Sequence, residues 1–434
     1  MYNLVSFSGI LILLGFAWMC SGKKKAFPWR VVLWGTGLQM VFACFIFLVP
    51  AGSSIFLFLN EVVVKILKSA NAGSQFVFGR LAVPPGETSV TGETSLGYNL
   101  AIQGLSTIVF FASIMAILYY FKIMPFLIRL FARVFTKLMR VSGAESLCTA
   151  SSIFVGAESS LTIKPFLEKM TFSELHTVLT ACMATVASNV LALYVLSLKE
   201  IFPTIAGHLI SASILSAPAA LIMSKILLPE TGEPETLGID VRVEYKRENN
   251  VIEAVVNGAG SGVKLIVGIC ALLLAFIGLV SLTDMIFGGV GGWINHLLGI
   301  QFDWSLKGLL GLLFYPFTLV IGIPLSDAPE LAKIIGERVV VTEVTAYQDL
   351  ALIMEQGVLK HPRSAVICTY ALCGFAHVAS LAIFVGGISA LVPNRTKDLA
   401  KLGPRALLAA TLACLMTAAI AGAFYNQGSV LLGD

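Results

Sequence analysis

The sequence predicts an all-α polytopic membrane protein in which eight transmembrane helices accompany two oppositely oriented re-entrant hairpins in an inverted repeat. Of its 434 residues, 57% are hydrophobic and only 12% are charged, and the mean hydropathy is +0.88. These values lie far outside the range of soluble domains. Eight apolar runs supply the helices, since about 20 apolar residues are needed to cross the hydrocarbon core. Two similar runs around acidic residues supply the hairpins and the repeat.

The eight apolar runs share the length of a membrane span and occupy residues 3–20, 31–50, 99–121, 173–198, 205–228, 264–283, 364–390 and 402–424. Three lysines follow the first run and do not precede it, so this run is a membrane helix and not a cleavable signal. By the positive-inside rule these lysines place the next loop in the cytoplasm. The inner segments are then 22–30, 122–171, 225–248 and 395–405, which hold 19 of the 29 Lys and Arg. Both termini are predicted outside, in a cytoplasmic (inner) membrane.

Two apolar runs interrupted by glycine and small polar residues each carry an acid. The first, residues 144–166, contains Glu158 and lies between helices 3 and 4 on the inner side. The second, residues 308–332, contains Asp327 and lies between helices 6 and 7 on the outer side. An A-x-V-A-S motif follows each run. We interpret the runs as hairpins that enter from opposite faces, an arrangement typical of transporters with a substrate site at broken helices near the midplane.

The chain is predicted to form a single membrane unit with four parts. Residues 1–143 hold helices 1–3 with an interfacial helix at Ser53 to Ala72 and a basic amphipathic helix. Residues 144–228 form the core of the first repeat, with hairpin 1 and helices 4 and 5. Residues 229–263 form a cytoplasmic linker. Residues 264–434 hold helix 6, hairpin 2 and helices 7 and 8.

Four polar side chains in apolar surroundings are candidates for a substrate site: Glu158, Asp327, His377 and Ser380. An ionised group within the bilayer is costly unless it faces a wet cavity or a partner, so each acid suggests a bound solute or cation. Glu158 could instead cap a helix or pair with Lys164. A lone histidine on an apolar helix is often a satisfied core group. His377, however, stands at the variable position of the second A-x-V-A-S copy, with Ser380 one turn further on.

Other chemistries leave no pattern in the sequence. The eight cysteines include no C-x-x-C pair and no extracellular cluster, so neither a disulfide framework nor a zinc site is indicated. A phosphate loop is also absent, which argues against an ATP-driven pump. We therefore expect no enzymatic activity, no organic cofactor and no nucleic-acid partner.

Several segments resemble the signature regions of the concentrative nucleoside transporters, which are nucleoside:cation symporters. These segments are SIFVGAESSLTIKPFLEKMTFSELHTVLTACMATVAS, IGIPLSDAPE, VTEVTAYQDL and GFAHVASLAIFVGGISALVPNRTKDLAKLG, and their order and spacing match over nearly the whole chain. The resemblance implies eight helices and two hairpins in each protomer of a homotrimer. It also implies import of nucleosides driven by a cation gradient, H⁺ or Na⁺. Helices 3 and 6 would form a scaffold past which the substrate-bearing part moves like an elevator.

The resemblance also assigns site residues. It places the first-hairpin glutamate at Glu158, the second-hairpin acid at Asp327, and two helix 7 substrate contacts at His377 and Ser380. The cation site would use four residues of the first hairpin and the break in helix 4, namely Ser152, Val155, Thr185 and Val186.

Three positions depart from the family pattern. Gly156-Ala157-Glu158 lacks the usual glutamine and is one residue shorter, His377 replaces an asparagine, and Ser152 stands where sodium-coupled members tend to have asparagine. A serine there also occurs in proton-coupled relatives, so these departures favour protons slightly over sodium. They leave the ligand open: a symporter for another small polar solute on the same fold is the first alternative. An intramembrane enzyme and a channel are the others.

Overall fold

The computed structural model describes residues 1–84, 88, 92, 94–97, 99–241, 248–299 and 301–426, with the backbone alone at 157, 158 and 189. Within these ranges the regular elements are helices. In chain order the α-helices are α1 (Tyr2–Met19), α2 (Trp29–Phe47), α3 (Pro50–Phe78), α4 (Ser106–Tyr120), α5 (Ile123–Met139), α6 (Gly143–Val155), α7 (Phe172–Ala184), α8 (Ser188–Leu198), α9 (Ile205–Leu227), α10 (Val251–Leu298), α11 (Leu306–Val320), α12 (Ala328–Glu337), α13 (Glu343–Glu355), α14 (Pro362–Leu372), α15 (Val378–Leu391) and α16 (Thr396–Ala423).

Six of the eight predicted spans are continuous helices that are long and apolar enough to cross a membrane: α1, α2, α4 with its π-helical start, α9, α10 and α16. The helix α10 is much longer than the predicted span at 264–283 and takes in part of the predicted linker. The segment Pro50–Ala82 is also long and apolar enough to cross a membrane, by length and composition alone. It contains the interfacial helix predicted at Ser53 to Ala72, which stays a prediction.

The other two predicted spans are each broken in the middle. Residues 185–187 separate α7 from α8, and residues 373–377 separate α14 from α15. The two A-x-V-A-S copies lie at these breaks. The breaks touch each other at Gly374, where a Cβ would lie 2.8 Å from the carbonyl oxygen of Ala184. Gly374 also has φ +151°, a backbone conformation that glycine accepts most readily.

Hairpin 1 lies where the sequence predicts it. The helix α6 begins with a capping box between Ser142 and Glu145 and ends at Val155, and the next residue, Gly156, has φ +58°. A 3₁₀ segment, Gly156–Ile163, then returns the chain. At the tip, a Cβ on Gly156 would lie 2.7 Å from the Cβ of Ala187, so the hairpin reaches the first helix break.

The predicted linker holds the base of hairpin 1. The amide of Gly143 donates to the carbonyl of Thr236 at 2.8 Å, and the Thr236 hydroxyl lies 2.7 Å from that of Ser142. Nearby, burial of Glu230 would raise its pKa, but the Lys225 ammonium and hydrogen bonds, including one from the Gly232 amide, lower that pKa overall. The described start of the linker, residues 229–241, is therefore packed against the first repeat.

The second hairpin is not at 308–332, as expected, but is formed by α12 and α13. Between α11 and α12, the carbonyl of Gly322 accepts from the Arg363 guanidinium, which also binds the carbonyl of Tyr2. This turn therefore lies at the end of the molecule that holds the N-terminus. From there α12 leads to the second break, where the amide of Val378 donates to the carbonyl of Val339 at 3.0 Å. Pro324 and Pro329 therefore mark a turn at that end of the molecule and not a hairpin tip at the cavity.

The four predicted inner segments meet at one end of the molecule. Arg30 donates to the carbonyl of Leu138, and Arg395 donates to the carbonyls of Glu168 and Met170. At the same end Lys23 donates to the Thr231 hydroxyl. This grouping agrees with the basic-residue pattern in the sequence.

The helices α4 and α10 pack closely together. A Cβ on Gly258 would lie 2.8 Å from the carbonyl oxygen of Ala112, and one on Gly262 would lie 2.7 Å from the Cα of Val109. These two helices correspond to the predicted scaffold helices 3 and 6. The helix α10 closes one side of the cavity described below.

Candidate functional site

A cavity of about 130 Å³ lies where the hairpins, the breaks and α10 meet. Its apolar wall includes Val155 from hairpin 1, Ala187 from the first break and Leu273 from α10. Phe375 and Phe384 add aromatic surface, with ring centroids 6.5 Å apart. The polar lining residues come from the tip of hairpin 2 and the second break: Thr342, Glu343, His377 and Ser380. A small, mostly apolar cavity with a polar group at one side is the usual form of a ligand site.

Glu343 is the central acid of this cavity. It is the first residue of α13, after the helix cap Thr342, so its carboxylate lies at a helix N-terminus, where negative charge is favoured. One carboxylate oxygen, Oε1, accepts a hydrogen bond from the Tyr194 hydroxyl at 2.7 Å. The other, Oε2, lies 2.8 Å from His377 Nε2. Glu343 is 3% exposed, so this buried carboxylate is held by the Tyr194 hydroxyl and by its contact with the His377 ring, and it keeps free lone pairs.

The second ring nitrogen of His377 fixes the state of the histidine. The amide of Ser380 donates to His377 Nδ1 at 3.2 Å, so Nδ1 is an acceptor and the proton of the neutral ring is on Nε2, facing Glu343. His377 is not in the middle of a helix, as the apolar run suggested. It is the N-cap of α15, with φ −142° and ψ 165°. Neither ring nitrogen is free to accept a hydrogen bond from a solute in this arrangement.

Two tyrosines hold the Glu343 side chain in place. The Tyr194 ring stacks on that of Tyr347 with centroids 4.7 Å apart, and Tyr347 donates to the carbonyl of Thr369 at 2.9 Å. Tyr347 is one turn after Glu343 on α13. The acid therefore has a fixed position between α8 on one side and α15 on the other.

The structure brings together His377 and Ser380 at the cavity and places Asp327 away from it. Asp327 lies at the start of α12 and accepts hydrogen bonds from the amides of Lys360 and His361 and from the Ser364 hydroxyl. This buried carboxylate caps the start of α14, away from the cavity. Glu158 follows the tip of hairpin 1 in the 3₁₀ segment, and its side chain lies outside the described part of the chain.

Glu343 is the residue that sequence reasoning missed. It lies within the VTEVTAYQDL segment, whereas the prolines around Asp327 favour a second hairpin at residues 308–332, which the structure does not form there. A usable signal existed, because Glu343 is an acid in a Val-rich stretch and lies closer than Asp327 to the second A-x-V-A-S copy. By position, Glu343 at the tip of hairpin 2 is the counterpart of Glu158 at the tip of hairpin 1.

The four predicted cation ligands lie around the tip of hairpin 1 and the first break. Ser213 on α9 joins these two segments, since its hydroxyl donates to the carbonyl of Ile153 at 3.0 Å and to that of Val186 at 3.4 Å. Ser152 donates to the carbonyl of Cys148, and Thr185 donates to that of Ala181. Val155 ends α6 and lines the cavity. Oxygen ligands are thus available, and the Ser152 hydroxyl also donates to that of Ser159 across hairpin 1 at 2.9 Å.

Comparison with known proteins covers almost the entire chain. Residues 8–81 and 208–422 match the models of the N-terminus and C-terminus of the Na⁺ dependent nucleoside transporters, and residues 101–201 match a nucleoside recognition (Gate) model. An uncharacterized transporter of Haemophilus influenzae is 34% identical, with 99% of each chain covered. Solute carrier family 28 member 3 of Mus musculus is 35% identical over 97% of this chain, which spans 58% of that relative's length.

Solved structures agree in fold. CNTnw in an inward-facing substrate-bound state has a TM-score of 0.87 at 35% identity, with 98% of each chain covered. A variant of CNTnw in an outward-facing state has a TM-score of 0.85 at the same identity and coverage. The fold of eight membrane helices and two hairpins is thereby confirmed, and the chain is a membrane transporter and not an enzyme. It belongs to the family of concentrative nucleoside transporters.

Proposed function

We propose that this chain imports nucleosides by symport with a cation, H⁺ or Na⁺. The observation that carries the proposal is the Glu343–His377 pair at the polar side of an otherwise apolar cavity. A nucleoside has the same division, because its sugar carries hydroxyl donors and its base has broad apolar faces. The free lone pairs of Glu343 suit sugar hydroxyls, and the Phe375 and Phe384 side suits the base. Relatives named as sodium/nucleoside cotransporters support this substrate class.

The proposed substrate contacts are Glu343 and Ser380, together with Glu158 from the opposite hairpin, and His377 acts at the site by holding the Glu343 carboxylate. Asp327 is given a capping role instead. The proposed cation ligands remain Ser152, Val155, Thr185 and Val186. The position of the cavity against α10 supports an elevator-type movement, in which the two hairpins and the broken helices carry the site past α4 and α10.

The coupling ion is tested by uptake of radiolabelled nucleoside into proteoliposomes under an imposed Na⁺ or H⁺ gradient. Accumulation above the external concentration with either gradient supports symport. If the nucleoside only equilibrates across the membrane and neither gradient changes its final distribution, the protein would be a channel or a uniporter.

We also propose a homotrimer in the inner membrane with both termini outside. The helix α10 supports assembly, since Val263, Val267 and Leu274 are 51%, 63% and 78% exposed and form part of a long apolar surface. Light scattering of the detergent-solubilised protein, corrected for bound detergent, measures the number of copies.

A further inference from the structure

Arg338 is a buried cation at the second helix break. Its side chain is fully buried, and its Nη1 donates to the carbonyl of Gly374 at 3.4 Å. Within the described part of the chain, Nε and Nη2 have no hydrogen-bond partner. The two acids nearest in sequence, Glu337 and Glu343, pair with Lys307 and His377. Arg338 is thus a guanidinium without a described carboxylate partner.

A buried charge of this kind is strongly unfavourable unless something compensates it. The compensation available here is a helix end. The helix α14 ends at Leu372, and the last carbonyls of a helix carry about half a negative charge between them. On the other side of the break, the carbonyl of Val339 accepts from the amide of Val378 at 3.0 Å. The tip of hairpin 2 therefore contacts both ends of the break. Arg338 lies at the carbonyl end, and the carbonyl of Val339 accepts a hydrogen bond at the amide end.

At the first break, the described part of the chain contains no such cation. Its helix α7 ends at Ala184, and the carbonyls there accept from neutral groups only. These groups are the Thr185 hydroxyl, the Ser213 hydroxyl and, at 3.8 Å, the Cys414 thiol. Among the described side chains no lysine or arginine donates to these carbonyls. The carbonyl end of a broken membrane helix is a common place for a coupling ion.

We propose that Arg338 is a permanent internal cation, which takes at the second break the place that an exchangeable cation takes at the first. Each chain would then carry one exchangeable cation site, formed at the tip of hairpin 1. The proposal rests on the proposed function only for the position of that first site. It explains why a charged residue is tolerated at the centre of the inverted repeat without an acidic partner.

The test compares thermal unfolding of the purified wild type, Arg338→Lys and Arg338→Gln in NaCl, KCl or N-methylglucamine chloride at constant ionic strength. Arg338→Gln removes the internal charge and leaves the carbonyl end open to a small cation. We expect Na⁺ or K⁺ to raise the melting temperature of Arg338→Gln more than that of the wild type. A new cation site in the folded state requires this by mass action. Arg338→Lys, which keeps the charge, should follow the wild type.

A folded Arg338→Gln whose melting temperature depends on Na⁺ and K⁺ as the wild type does would overturn the proposal. If Arg338→Gln does not fold in any salt, the proposal is tested on the wild type instead. The reversal potential of nucleoside flux in proteoliposomes then gives the number of cations transported with each nucleoside. One cation per nucleoside supports the proposal, and two or more contradict it. Absence of nucleoside flux would contradict the proposed function alone, because the thermal comparison needs no substrate.

Discussion

Glu343 contacts other side chains within the protein and also lines the cavity. Its carboxylate satisfies the Tyr194 hydroxyl and His377 Nε2, and it faces the cavity with lone pairs to spare. A carboxylate that only stabilised the fold would not need to line a cavity. At the residue scale the account therefore depends on this acid and on the histidine beside it.

Glu343→Gln should reduce nucleoside uptake by more than about tenfold, because hydrogen bonds to a charged group are worth about 1.5–3 kcal/mol and 1.4 kcal/mol is a factor of ten. The amide keeps the shape but has a single acceptor oxygen for two existing donors and the substrate. Initial uptake rates in proteoliposomes measure the effect. Glu355→Gln is the matched control, since Glu355 is exposed at the end of the same helix. Unchanged uptake in Glu343→Gln would remove Glu343 from the site.

Asp327→Asn should lower stability and leave nucleoside affinity near the wild-type value in the folded protein. The carboxylate accepts two backbone amides and one hydroxyl at the start of α14, so losing the charge should cost about 1–3 kcal/mol. Thermal unfolding with and without nucleoside separates the two quantities. If Asp327→Asn keeps the wild-type melting temperature but no longer binds nucleoside, Asp327 would be a substrate-binding residue after all.

At the scale of elements, the two close contacts between hairpin 1, the first break and the second break depend on glycine. Gly156→Ala adds a Cβ 2.7 Å from Ala187 at a positive φ, and Gly374→Ala adds one 2.8 Å from the Ala184 carbonyl oxygen. Each should destabilise the protein by more than about 1 kcal/mol and impair uptake. Gly386→Ala on α15 is the control, because no atom lies within 4 Å of its added Cβ. Wild-type melting temperatures in the first two variants would contradict these contacts.

The elements show how far sequence reasoning reaches. Six spans and hairpin 1 could be predicted because length, hydropathy and a Gly-flanked acid are local properties. Hydropathy alone does not place the breaks at 185–187 and 373–377, since each run is apolar on both sides of its break. The family resemblance places the first break, at Thr185 and Val186, but not the second. The sequence cannot distinguish a capping role for Asp327 from a role in a ligand site, because both roles place a buried acid near a proline. Only the contacts with Lys360 and His361 tell the two apart.

At the scale of the whole molecule, the basic segments define an inner end and the Arg363 network joins the N-terminus to the opposite end. In a cysteine-free background, Glu233→Cys should react with an impermeant thiol reagent only from the cytoplasm, and Thr88→Cys only from outside. Both positions are exposed, whereas Thr236 in the same linker is buried and unsuitable. Labelling of intact cells and inverted vesicles measures the sidedness, and the reverse pattern would invert the proposed orientation.

The whole account requires that the cavity bind a nucleoside through its sugar. The most direct measurement is the melting temperature of the purified protein with nucleosides, the matching 2′,3′-dideoxynucleosides, free bases and free ribose. A ligand that binds only the folded state raises its stability by mass action. We predict that nucleosides raise the melting temperature of the wild type, that dideoxynucleosides and free bases raise it far less, and that Glu343→Gln loses the difference. Equal stabilisation by nucleosides and free bases, unchanged in Glu343→Gln, would contradict the assignment of Glu343 to the sugar.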